Sequence, residues 1–446
     1  MSRFAASAGE AALDLHGRLP SLSENRAARI AAILVLYFLQ GVPIGLTLVA
    51  LPGWLAEQGV SPLAIGGFVG LAMLPWSTKL LNGLVMDRFT FMPMGRRRSW
   101  ILAAQALMVA ALVTMALIAP GARDVAMLTA LCFVLNVCVT FSDVAVDGMA
   151  VDIVPEDERT MINGFMFASQ NFGVAACAFL AGQLLASGSL RATALVLAGF
   201  VICASVFVGL FRERPGERLL PWTPGAASRE CMDRQHDAWW PILSGVFRSV
   251  ISPPTLLFLL GAACSSAMLA FCDAVNPTLA VQHLGWSSER YSSLGALMSL
   301  IAAGCALFVP LAVVRWFGLR RAVICHFLLI ALLAAVAAAT FPSWQGDGLF
   351  MALTLVLFIL SVLLTVLLVV WAMRISDPAI AASQFALFMA VPNLSRSMMS
   401  GNSGWLVEGG GYPATYLAVV GITLLGLGLC LIAGVGDERA VEAGTA

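Results

Sequence analysis

Several residues able to do chemistry stand inside long apolar runs, where charge is costly. Lys79 is the only lysine of the chain; every other basic residue is arginine. Asn136, Thr140, Asp143 and Asp147 follow one another at i, i+4, i+7 and i+11, a spacing that puts all four on one face of a helix. Lys79 and Asp143 each lie about 10 Å from the end of their own run at 1.5 Å per residue. In antiparallel helices the two are therefore expected at one depth and in contact, with Asp147 nearer the mouth. A carboxylate held between desolvation and a neighbouring ammonium can change protonation as its surroundings open and close, which makes this trio a candidate proton-coupling site. A static ion pair, or a lysine reaching toward the headgroups, is the plainer use of the same residues.

Further along, Asp273 and Asn276 are neighbours at i, i+3, just before Pro277. A proline inside a span frees a backbone carbonyl, and broken helices are common at transporter sites; a hydrated place near the outer end is the alternative for Asp273. Asn393, Arg396 and Ser400 share a face after Pro392. A guanidinium at this depth suits an anionic substrate, unless a carboxylate of its own half holds it. Tyr37, Gln40, Asn163 and Gln170 are uncharged hydrogen-bonding groups that either line a polar substrate or tie helices together. No GxxxxGK[ST] loop is present, so ATP is not the expected energy source. His326 stands alone in an apolar run, and the cysteines have no metal-ligand spacing. No catalytic residue, metal or cofactor is therefore expected, and the chain is not read as an enzyme.

The elements that position these residues follow from composition. The chain has 446 residues, 60% hydrophobic and 11% charged, too apolar for a soluble core. Stretches of about 20 apolar residues span a bilayer. Twelve candidates appear, at 30–54, 63–86, 99–119, 124–150, 161–186, 190–211, 253–280, 289–314, 319–340, 347–373, 379–405 and 413–434. The expected fold is an all-α membrane protein, twelve transmembrane helices in two pseudo-symmetric six-helix bundles. Its parts are an N-terminal tail (1–29), a first bundle (30–211), a linker (212–252), a second bundle (253–434) and a tail (435–446). Alternating the spans from a cytoplasmic N-terminus puts twenty arginines in cytoplasmic segments and three outside. This bias predicts both termini inside. Residues 1–28 lack a short apolar core with a small-residue cleavage site, so no removable signal peptide is expected.

The two halves echo each other. The turn after span 2 has Gly83, Asp87, Arg88, Gly95, Arg96, Arg97 and Arg98; the turn after span 8 has Arg315, Gly318, Arg320 and Arg321 without the aspartate. The Gly-x-x-x-Asp-Arg and Gly-Arg-Arg-Arg pattern resembles the major facilitator superfamily, and within it the AmpG-like (muropeptide permease) and acetyl-CoA transporter branch. LYFLQGVPIGL (36–46), LPWSTKLLNGLVMDRF (74–89) and FSDVAVDGMAVDIVPEDERTMINGFMFASQNFG (141–173) carry the likeness. The resemblance implies a secondary transporter working by alternating access, with proton-coupled uptake of a polar or anionic solute such as a muropeptide, siderophore or acyl-nucleotide. Efflux by the same fold, or a transporter-derived sensor, are the alternatives. It also implies a bacterial cytoplasmic membrane, a monomer, no nucleic-acid partner, and a gating role for the turn residues, with Asp87 docking near Ser376-Asp377-Pro378. The turn DIVPEDER (152–159) either pairs with the arginines or is solvated.

Overall fold

A chain without water around it must satisfy its own peptide groups, and a helix does so within one segment. The computed structural model describes residues 21–233, 253–344, 347–375 and 381–435, apart from a few side chains within them. It shows α1 (Arg26–Glu57), α2 (Pro62–Arg88), α3 (Arg98–Ile118), α4 (Val125–Ile153), α5 (Glu156–Ala186) and α6 (Leu190–Gly209). The second half has α7 (Pro253–His283), α8 (Ser288–Phe317), α9 (Leu319–Thr340) and α10 (Asp347–Ile375). The last helical stretch, Ala381–Ile432, has 52 residues. That is about 78 Å at 1.5 Å per residue, against about 30 Å of hydrocarbon. It breaks at Gly411, whose φ of 72° and ψ of −179° are not helical, with Pro413 just after. It is therefore two crossings, α11 (381–410) and α12 (412–432). The described residues thus form the twelve helices expected, within a few residues of the expected bounds.

Helix starts follow local chemistry. Asn25, Ser61, Ser189 and Ser287 each accept a bond from the backbone N–H three residues on, as N-cap side chains do. α3 has no such cap of its own.

The internal repeat has a structural form. α1 and α7 each widen into a π-turn, Leu46–Ala50 and Leu279–His283, shortly after Pro43 and Pro277. One offset of 233 residues carries Leu46 to Leu279 and Gln40 to Asp273. The turns before α3 and α9 pivot on Gly95 and Gly318, with φ of 96° and 76°. Such angles favour glycine.

Within the first half, α1 and α5 pack through Gly41 and Gly173. A Cβ on Gly41 would sit 2.0 Å from the Gln170 carbonyl oxygen, so nothing larger fits. Between halves, α2 meets α11 where Gly66 and Gly70 face Ser400 and Ser397. Leucines and phenylalanines such as Leu117, Phe179, Leu195 and Leu332 stay exposed on the perimeter, where lipid is their solvent.

Candidate functional site

The polar face of α4 is bonded rung by rung. Asn136 accepts from Trp76 Nε1 at 2.9 Å and donates to Thr47 Oγ1 at 3.3 Å. Thr140 accepts from Asn82 at 3.1 Å. Asp143 Oδ2 lies 2.5 Å from Lys79 Nζ, the contact expected from the matched depths. Tyr37 donates its hydroxyl to Asp147. The partners all come from α1 and α2. Neither Trp76 nor Asn82 is among the site residues expected from the sequence, although they stand three residues either side of Lys79 and so share its face. The Lys79 ammonium also sits 4.9 Å from the Trp76 ring centre.

In the second half, Arg396 Nε and Nη2 donate to the two oxygens of Asp273 at 2.6 and 2.8 Å. The arginine thus has a partner in its own half, and Asp273, 7% exposed, is buried. In both ion pairs the cation is the more open member: Lys79 is 17% exposed against 3% for Asp143, and Arg396 26% against 7% for Asp273. The two pairs flank one junction. Asn393, a turn from Arg396, donates to the carbonyl of Trp76, a turn from Lys79, at 3.4 Å. The intramembrane charges thus gather at the boundary between the halves and not on the lipid face.

The other expected ligands divide. Gln170 donates to Gln40 at 3.2 Å, bridging α5 and α1. Asn276 is buried on α7. Asn163 is exposed on α5 and takes no part in these bonds.

The signature turn is held inside the first half. Asp87 Oδ1 lies 3.0 Å from Arg96 and 2.9 Å from Arg97. Ser376, Asp377 and Pro378, its expected docking place, lie outside the described residues. Arg88 is exposed, and a Cβ on Gly83 would make an ordinary contact with Val144 Cγ1 at 3.8 Å. Arg98 points away from the boundary: wholly buried, it donates to the carbonyls of Leu219 at 2.6 Å and Gly209 at 2.9 Å. The polar segment after α6, read from sequence as part of a linker, packs here over residues 211–233. Glu213, fully buried, accepts from the backbone N–H groups of Arg97 and Arg98 at 3.1 and 2.9 Å. It supplies the cap α3 lacks, and its side chain fills the space a Cβ on Gly95 would need. Burial pushes the Glu213 carboxyl up from its ordinary value, against the pull of those N–H donors. Burial, with the Glu213 charge beside it, pushes Glu217 up to about 7. Of the acidic turn, Asp152 lies 3.9 Å from Arg97 of the signature turn, while Glu158 holds Arg26 at 2.6 Å and Arg29 at 3.4 Å at the start of α1.

Sequence reasoning missed a latch at the opposite end. Glu57, closing α1, accepts from Ser288 N at 3.3 Å and Ser288 Oγ at 2.5 Å, at the start of α8 in the other half. Gln282 of α7 donates to the carbonyls of Ala56 and Val60 at 3.0 and 2.8 Å. Gln183 of α5 donates to Glu289 at 3.0 Å. These residues sit at span ends, where polar side chains are unremarkable, so spacing gave no signal.

The comparisons agree with this architecture. The description of the Major Facilitator Superfamily matches residues 33–399. The chain is 25% identical over 411 residues to the anhydromuropeptide permease of Escherichia coli, covering 91% of this chain and 79% of that one. It is 27% identical over 384 residues to a folate-biopterin transporter of Synechocystis, covering 82% of this chain and 72% of that one. Among solved structures, the nucleoside transporter NupG superposes with a TM-score of 0.67 at 14% identity, covering 91% of this chain and 98% of that one. A D-xylose-proton symporter gives 0.66 at 15% identity, covering 93% and 98%. With a family match over most of its length and the fold of known transporters, this multi-pass membrane protein is a transporter and not an enzyme, and belongs to the major facilitator superfamily.

Proposed function

We propose that the chain is a proton-coupled secondary transporter that takes up a polar, anionic solute across the bacterial inner membrane by alternating access. The observation that carries this reading is the charge arrangement at the boundary. Two cations are each paired with a carboxylate, while Asp147, outside both pairs, accepts its hydrogen bond among the described residues from the neutral Tyr37 hydroxyl. An uncompensated charge at this depth costs a few kcal/mol or more. One proton on Asp147 makes the cluster neutral, so loading and release of that proton is a natural partner of the rocking step. The arginine bias supports a cytoplasmic placement of the signature turn and of both termini. The domain division expected from the sequence fits the same scheme, with 30–211 and 253–434 as the two moving bodies.

The greater exposure of Lys79 and Arg396 supports an anionic cargo, because its carboxylates meet the cations before the aspartates behind them. A muropeptide-like solute, polar and carrying carboxylates, has this chemistry, and it is the cargo that the Escherichia coli relative's name suggests. Purified protein in proteoliposomes, given muropeptide fragments under an imposed pH gradient, tests the proposal. Accumulation should follow the gradient and collapse when protons are equilibrated; gradient-independent uptake would refute the coupling. Arg396→Ala should weaken an anionic solute far more than a neutral analogue, and equal loss for both would instead leave Arg396 a purely structural role.

A further inference from the structure

Away from the boundary, Arg320 and Arg321 open α9 and Arg374 closes α10. Their side chains line a cavity of about 350 Å³ together with Val314, Phe317 and Leu319. Arg321 and Arg374 are exposed and form no ion pair with a described residue. Gly318, with φ of 76°, turns α8 into α9 without a side-chain cap.

The direction in which this cavity opens decides what it meets. Arg321 heads one face of α9. Cys325, Leu328, Leu332 and Val336 follow it at helical spacing, and all are exposed, Leu332 by 59%. The opposite face carries Phe327, buried against Gly426 of α12. Exposed leucines at hydrocarbon depth face lipid, so Arg321 stands at the headgroup level of the lipid-facing perimeter, not in the cleft beside Lys79 and Arg396. Trp316 and Phe317, 76% and 58% exposed, sit next to it, as aromatic residues do at a membrane interface.

We propose that this cavity is a binding site for the headgroup phosphate of an anionic phospholipid in the leaflet facing the arginine-rich end. Guanidinium groups bind phosphate oxygens in pairs, and basic pockets between helices take anionic headgroups. Val314, Phe317 and Leu319 give the first acyl carbons an apolar rim. A choline headgroup carries a fixed ammonium that Arg321 and Arg374 repel, so the site discriminates between lipids that share a phosphate.

Full-length protein, equilibrated with vesicles of phosphatidylglycerol or of phosphatidylcholine and read by native mass spectrometry, tests this. Several-fold more phosphatidylglycerol than phosphatidylcholine should remain bound. The Arg321→Gln/Arg374→Gln variant should lose that preference, while Arg123→Gln at the opposite end should keep it. Should the double variant fold poorly, Arg321→Lys keeps the charge without the paired donors and should show a reduced preference. An unchanged preference in the folded variants overturns the proposal, as does equal loss of both lipids. Displacement of the lipid by millimolar inorganic phosphate would mark a site for free anions and also overturn it. Uptake activity does not enter the readout, so the result is independent of the transport mechanism.

Discussion

At the scale of single residues, the α4 face makes sharp predictions because its two aspartates differ in partner. Asp143 is balanced by Lys79 at 2.5 Å, while Asp147 has a neutral tyrosine. Breaking a buried ion pair by removing one member costs about 3–5 kcal/mol, because the other charge is stranded. Lys79→Met should therefore lower the thermal unfolding midpoint in detergent, and Lys79→Met/Asp143→Asn should recover most of the loss. Absence of that recovery would mean that the pair is not the source of the effect. Asp147→Asn keeps an oxygen for Tyr37 and should leave the fold intact. It should abolish accumulation driven by a pH gradient yet retain solute exchange; gradient-driven accumulation in this variant would remove Asp147 from the coupling. Much of this cluster was legible, since the i, i+4, i+7, i+11 pattern is a local property of one helix. The Arg396–Asp273 pair was not, because 123 residues separate its members and no periodicity links them.

At the scale of elements, the segment after α6 shows where reading a sequence stops. The spans announced themselves through apolar length and arginine alternation. The gap expected between the last two, after residue 405, falls in the structure at Gly411, just before Pro413. Residues 211–233, by contrast, have the polar composition of a solvated linker, yet dock through buried Glu213 and Arg98. Composition does not reveal which polar groups find partners. The docked strap should respond to pH. Glu217 is pushed up to about 7 from an ordinary 4.5, so docking favours its protonated form. The stabilisation is fully present below about 4.5 and is lost as pH rises through about 7. Amide exchange in residues 211–231 should therefore speed up between pH 5 and pH 8 beyond the intrinsic base-catalysed increase, and Glu217→Gln should remove the excess. The α1–α5 contact is a second element-level test. With the Gln170 carbonyl 2.0 Å from the position of a Cβ on Gly41, Gly41→Ala must spread the helices, and overpacking of this kind costs about 1–3 kcal/mol. A thermal midpoint unchanged by Gly41→Ala would contradict the close approach.

At the scale of the molecule, hydrogen bonds between the halves set which way the boundary opens. Among the described residues, Glu57–Ser288, Gln282–Ala56 and Gln183–Glu289 close the end away from the arginines. Weakening them should shift the population of states. Glu57→Ala with Gln282→Ala should raise, several-fold, the rate at which a thiol from Ser292→Cys, beneath the latch, reacts with an impermeant maleimide added on that side. An unaltered rate would show that these bonds do not hold that end shut. The cap on α3 has a consequence for how the protein is made. The carboxylate that fastens Arg97 and Arg98 belongs to Glu213, more than a hundred residues further along the chain. Synthesis runs from the N-terminus, so α3 stays uncapped on the ribosome until six helices have been inserted, with the Asp87 pairs holding the turn before it. Truncation before residue 213 should leave the first turn of α3 more open to protease, and extension past it should protect it.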